Sequence, residues 1–246
     1  MINAGLGKDG GVPRRIAVAM LAPPAWAPPG VDRAAWRLAL AEDLLDVLAT
    51  LADVEAAVAF RTGESALRSQ IGWPGLRGYE LPTLDVSSVL AAVAEDGYEQ
   101  AVLLAADAPD LPGMLIAKLL RPLTTRPLAA AAAAGAFDRP VGSDPPVGYD
   151  PPAGSDRSEA PVGRMAAGLL GLAARLPAPP WLPAVGLDEL TPQALRRAAP
   201  RPTDLAPAPG WHRLRSPADL ARLDPRLEGW DATRALLSPQ DPNMVG

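Results

Sequence analysis

The chain has 246 residues, 48% of them apolar but only 4% aromatic, so its core must be built from Leu, Ala and Val rather than from rings. It contains no cysteine, which excludes thiol catalysis, cysteine-ligated zinc and disulfides and fits a reducing cytosol. A formal net charge of −5 with no basic run excludes the electrostatic footprint of a nucleic-acid or anionic-membrane partner, and no stretch approaches the ~20 apolar residues that span a bilayer.

A cytoplasmic domain spanning 14–246, preceded by a loose Gly-rich tail at 1–13, is the expectation. Arg14-Arg15 and the apolar run behind them imitate a secretory signal. That run stops at Pro23-Pro24, about the shortest a signal tolerates, so Ile16 to Leu21 reads as a buried strand. Pro23 to Gly30 is a loop. From Arg33 the pattern turns helical, with Trp36, Leu40, Leu44, Val47, Leu48 and Leu51 at steps of three and four. Glu42, Asp43 and Asp46 fall on the opposite side of that helix. Val54 to Phe60 reads as a second strand, Glu64 to Ile71 as a short helix and Gly78 to Leu81 as a third strand.

Asp85 stands as the N-cap of a helix carrying Val89, Leu90 and Val93. Ala101 to Ala106 (AVLLAA) is apolar throughout, as a central parallel strand covered on both faces must be. Beyond Asp107-Ala108-Pro109-Asp110 comes a helix with Pro112 in its first turn and Leu115, Ile116, Leu119 and Leu120 on its buried side. Leu128 to Ala134 makes a fifth strand. This alternation predicts an α/β fold, a doubly wound, mainly parallel sheet with helices on both faces in three αβα layers.

The regularity breaks at Pro140 to Arg157, which reads PVGSDP, PVGYDP, PAGSDR. Repeats this polar and this few cannot build a solenoid, so 138–163 is expected to be a disordered insertion. Asp144, Asp150 and Asp156 lack the close spacing of a calcium loop. Gly168 to Leu176 resumes as a strand or buried segment, and Pro200 to Gly210 reads as a loop before an edge strand at Trp211 to Leu214. Thr191-Pro192 and Ser216-Pro217 start short helices, and Asp231 to Leu237 is a last helical turn or two. Trp26, Trp73, Trp181 and Trp211 lie in Pro- or Gly-rich loops, where they either pack those loops onto the core or line a ligand cleft.

In an open parallel sheet, ligands bind beyond the carboxyl ends of the strands, where strand order reverses. Asp107 follows directly on AVLLAA and emerges at that rim. A carboxylate there either holds Mg²⁺ together with substrate phosphates or, with Asp110, starts the following helix, and spacing alone leaves both readings open. His212 is the sole histidine and no Gly-x-Ser-x-Gly elbow accompanies it. No Gly-x-Gly-x-x-Gly follows the first strand and no Walker-type phosphate loop occurs.

The segment AVLLAADAPDLPGMLIAKLL resembles the central strand, Asp-x-Pro-Asp turn and helix of a bacterial glycosyltransferase-A-type, nucleotide-diphospho-sugar transferase-like family that includes phospholactate guanylyltransferases. The resemblance implies binding of a nucleoside triphosphate or nucleotide-sugar with a divalent ion, and transfer of a nucleotidyl or sugar group. It puts Asp107 at the metal, Mg²⁺, and leaves Arg33, Arg37 and Asp110 for the nucleotide. Several family features are missing. The loop after the first strand, APPAWAPPGVDRAAWRL, has prolines at 23, 24, 28 and 29 where phosphate-binding N–H groups are expected. Only Arg33 and Arg37 offer charge there, four residues apart on one helix face, and the plainer reading of them is a solvated face. Arg215 stands where the family's later metal-binding acid is expected, with Asp219 behind it, and the Gly-Gly-Tyr-like turn is absent. Two readings follow: a divergent nucleotidyl- or glycosyltransferase, or a catalytically inactive relative whose sheet serves as a scaffold for a small molecule or a protein.

Overall fold

The computed structural model describes residues 12–71, 73–134, 168–223, 226 and 229–238; the expected insertion at 138–163 and most of the N-terminal tail lie outside these. The elements run β1 (Arg15–Met20), α1 (Arg33–Ala49), β2 (Glu55–Arg61), α2 (Ser65–Ile71), β3 (Arg77–Leu81), α3 (Val86–Glu95), β4 (Gln100–Ala105), α4 (Gly113–Leu120), β5 (Leu128–Ala133), β6 (Leu169–Arg175), α5 (Pro192–Ala198), β7 (Leu205–Trp211), α6 (Pro217–Leu220) and α7 (Asp231–Leu237). The strands form one seven-stranded sheet in the order β3-β2-β1-β4-β6-β5-β7. Every neighbouring pair is parallel except those made by β6, which runs antiparallel to both β4 and β5.

Alternation along the strands sends successive side chains to opposite faces. Val18 and Leu103 therefore join the helix α3 residues Val89 and Leu90 on one face. Ala19 and Leu104 meet Leu44 of α1 and Ile116 of α4 on the other. Each fully buried leucine contributes roughly 1.5–3 kcal/mol. Helices thus cover both faces, as the αβα expectation requires.

Helix α1 starts where Asp32 accepts hydrogen bonds from the backbone N–H groups of Ala34 and Ala35, at 3.0 and 2.9 Å. Its far side is only partly solvated: Asp46 is exposed and Glu42 half-buried, but Asp43 is neither. Asp43 is fully buried, and its carboxylate accepts from Ala232 N and Thr233 N, at 2.8 Å each. The reason is a third apolar cluster built from Trp36, Leu40, Leu214, Leu223 and Trp230, which lays the C-terminal segment across α1. Helix α1 consequently buries a stripe against the sheet and a second against α7. Burial pushes the Asp43 carboxyl above its usual range, partly opposed by its hydrogen bonds from Thr233 and Ala232.

The loop expected at Pro200 to Gly210 is instead mostly strand β7, and the edge strand expected at Trp211 to Leu214 begins earlier than its apolar residues suggest. Pro207 and Pro209 are two residues apart, so their missing N–H groups fall on the same, unpaired edge of the strand. Gly210 permits the closest approach to β5, since a Cβ there would lie 2.4 Å from Ala132 O. The loop tryptophans pack onto the core. Trp26 meets Trp36 edge-on at 6.1 Å, Trp73 and Trp211 lie against the α1 and α4 face, and Trp181 lies against the α3 face. No helix among the described residues is long and apolar enough to cross a membrane.

Candidate functional site

The chain moves outward through β1, β2 and β3, then returns to lay β4 on the other side of β1. Register aligns Met20 with Ala105, so the loops after β1 and β4 leave the sheet at one level and diverge. Between them opens a cleft of about 480 Å³, at the strand-order reversal where such sheets bind ligands. Its walls combine Met20, Leu40, Leu84 and Leu187 with the prolines Pro23, Pro24 and Pro82.

Asp107 lines this cleft, but its carboxylate is not open to a ligand. Arg213 grips it with two parallel contacts, Nε to Oδ1 at 2.5 Å and Nη2 to Oδ2 at 2.9 Å. The third arm of the guanidinium, Nη1, donates to Leu169 O at 2.9 Å and lies 2.6 Å from Asp188 Oδ1. Arg215 Nη2 stands 3.3 Å from the same Asp188 oxygen. The backbone reinforces the pairing, since Leu214 N donates to Asp107 O at 2.7 Å. Burial lowers the proton affinity of the Arg213 guanidinium, but Asp107 and Asp188 more than offset this, and the group ends above its ordinary value. The helix-start reading fares no better for Asp107. The N-cap of α4 is Pro112, with no side-chain capping bond.

Asp110 stands apart from the cleft lining. It is buried, accepting a hydrogen bond from Trp211 Nε1 at 3.1 Å, with His212 Nε2 3.0 Å from its other oxygen but out of hydrogen-bond alignment. Arg37 does line the cleft. Glu64 holds it by two contacts of 2.9 Å each, and Leu21 O accepts from it as well. The hydrogen bond from Arg37 keeps the Glu64 carboxyl below its usual range, in spite of burial. Arg33 lies exposed on the first turn of α1 and outside the cleft lining, so the structure does not bring the two arginines together on a ligand. Asp219 is buried on the short helix α6, accepting from Arg215 N at 3.1 Å and Ser216 Oγ at 2.7 Å.

Sequence reasoning missed Arg213, Asp188 and Glu64. One faint signal existed: Arg213 and Arg215 are two apart in an extended segment, which turns both side chains the same way. Their target, Asp188, lies in a loop whose position only the fold reveals. Among the described residues no three His, Cys, Asp or Glu side chains gather in a way that can hold a metal ion. With both Asp107 oxygens on a guanidinium, the residues present do not fit Mg²⁺.

No protein-family model and no curated protein matches this chain. Solved structures do resemble it. A protein assigned as a nucleotide-diphospho-sugar transferase from Desulfovibrio desulfuricans G20 superposes with a TM-score of 0.54 at 17% identity, over 92% of this chain and 97% of that one. The 4-diphosphocytidyl-2C-methyl-D-erythritol synthase of Anaerococcus prevotii DSM 20548 superposes with a TM-score of 0.50 at 12% identity, over 92% and 97%. At these identities the likeness is one of fold: the sheet and its helices are nucleotide-diphospho-sugar transferase-like.

Proposed function

We propose that this chain is a catalytically silent relative of the transferases sharing its fold, holding a nucleotide or nucleotide-sugar in the β1–β4 cleft without a divalent ion at Asp107. The observation that carries this reading is the buried two-pronged pair between Asp107 and Arg213. Nucleotidyl transfer depends on cations and N–H groups aimed at phosphate charge as it develops. Here Arg213 already spends donors on Asp107, Asp188 and Leu169 O, and Arg37 spends both terminal nitrogens on Glu64 and Leu21 O. The loop over the cleft offers no N–H at Pro23, Pro24, Pro28 or Pro29. What the cleft retains is apolar wall area at the strand-order reversal, which suits the base and sugar of such a ligand better than its phosphates.

A second reading, a divergent Mg²⁺-dependent transferase, draws on one feature. Asp188 contacts the same guanidinium from another side, and its side chain is 43% exposed. Ligand phosphates that drew Arg213 toward Asp188 would release Asp107 for a metal.

Calorimetric titration with a panel of nucleoside triphosphates and nucleotide-sugars, in Mg²⁺ and in EDTA, separates the two. The proposal expects binding that is the same in both buffers, with no turnover of labelled nucleotide. Binding that needs Mg²⁺, disappears in Asp107→Ala and accompanies product formation establishes the transferase instead. Silence across the panel defeats the nucleotide assignment itself.

A further inference from the structure

Four oxygens converge on one guanidinium: both of Asp107, Oδ1 of Asp188 and the carbonyl of Leu169, at 2.5, 2.9, 2.6 and 2.9 Å. Oxygen sets of this kind, carboxylate with backbone carbonyl, are what hard divalent cations take as ligands. Arg213 is also the only partner seen for either Asp107 oxygen among the described residues, and its side chain is 5% exposed. Two carboxylates near one buried point need a compensating positive charge, because an uncompensated buried charge costs several kcal/mol.

We infer that Arg213 is a built-in substitute for a divalent cation, a tethered positive charge that neutralises Asp107 and Asp188 through ion pairs, so that the wild-type cleft excludes Mg²⁺ and Mn²⁺. A guanidinium can do this where a lysine cannot do it as well, because its planar fork meets a carboxylate with two parallel N–H groups while a third arm reaches another acceptor. Arg215, 3.3 Å from Asp188, adds a second fixed positive charge that opposes any incoming cation. The inference rests on the arrangement of these side chains and not on a ligand. Failure of nucleotide binding leaves it standing, and its own failure leaves nucleotide binding open.

The test creates the vacancy. Mn²⁺ binding is followed by electron paramagnetic resonance, and thermal melting is recorded across a Mn²⁺ titration, for the wild-type chain, Asp107→Asn, Arg213→Ala, Arg213→Gln and the double variant Arg213→Ala/Asp107→Asn. The wild-type chain is expected to show no saturable Mn²⁺ binding. Arg213→Ala, Arg213→Gln or both are expected to bind Mn²⁺ at least tenfold more tightly than the wild-type chain. Their melting temperature should rise by about 5 °C at a hundredfold excess over Kd. The double variant is expected to lose that site. If the single Arg213 variants fold only when Mn²⁺ is added, that rescue supports the inference equally. Saturable binding by the wild-type chain that Asp107→Asn removes overturns it. So does the absence of Mn²⁺ binding or Mn²⁺-dependent refolding in both single Arg213 variants.

Discussion

The carboxylate of Asp107 and the guanidinium of Arg213 lie 106 residues apart in the chain and meet through two parallel contacts at the rim of β4. The pair joins the central strand to the segment leaving the edge strand β7, and Leu214 N to Asp107 O ties the same two places through the backbone. It is both the polar floor of the cleft and a clasp on the C-terminal third of the fold.

Removing one half of that clasp should therefore cost far more than removing both. Arg213→Met is expected to destabilise the chain by about 3–5 kcal/mol, since it strands the buried Asp107 carboxylate, and Asp107→Ala somewhat less, since Asp188 still faces the guanidinium. The combined Asp107→Leu/Arg213→Met variant should recover much of that loss. Chemical denaturation of the three variants measures the coupling. Additive losses would show that the two side chains are energetically independent.

Asp43 provides the second prediction. Asp43→Ala orphans the N–H groups of Ala232 and Thr233 and should cost about 1–3 kcal/mol. Asp43→Asn, which keeps one acceptor, should cost less. The pH dependence has a definite sign. A carboxyl whose folded pKa lies above its unfolded value binds its proton more tightly in the native state. Relative to Asp43→Asn, the wild-type chain should gain stability as pH falls through the titration range of Asp43 and lose it as pH rises. Paired denaturation curves between acid and neutral pH read this out.

Glu64 should behave the opposite way. Its pKa is depressed in the fold by Arg37, so its contribution is fully present above the unfolded value near 4.5 and disappears as pH falls through the lower folded value. The stability gap between the wild-type chain and Glu64→Gln is thus expected to be constant near neutrality and to close in acid. A gap that persists at the lowest pH would point to packing rather than charge.

Strands β5 and β6 are antiparallel neighbours, and Ala133 N donates to Gly168 O at 3.2 Å. The chain leaves the sheet after β5 and re-enters before β6 at the same place. Replacing 138–163 with a short Gly-Ser link is accordingly expected to leave the melting temperature within a few degrees of wild type. Calorimetry of the two proteins checks it, and a drop of many degrees would mark that segment as part of the packed structure.

Much of the architecture was legible from local pattern. AVLLAA announces a strand buried on both faces, and the three-four spacing from Trp36 to Leu51 announces α1. Asp85 and Thr191 announce helix starts that the backbone confirms, since each accepts the expected hydrogen bond, from Ser88 N and Ala194 N. These signals work because periodicity, capping and proline restriction act over a few residues. Pro207 and Pro209 misled the same logic, because only a neighbouring strand determines which edge of β7 goes unpaired.

By itself, then, the order of residues determined the first five sheet-forming segments, their alternation with helices and the emergence of Asp107 at a strand's carboxyl end. Tertiary structure alone decided what that carboxylate meets. Arg213, Asp188 and Leu169 come from three separate segments, and Asp43 finds its N–H partners 189 and 190 residues away. Attraction between charges depends on distance in space, and no local pattern encodes a distance that is settled only when the chain has closed upon itself.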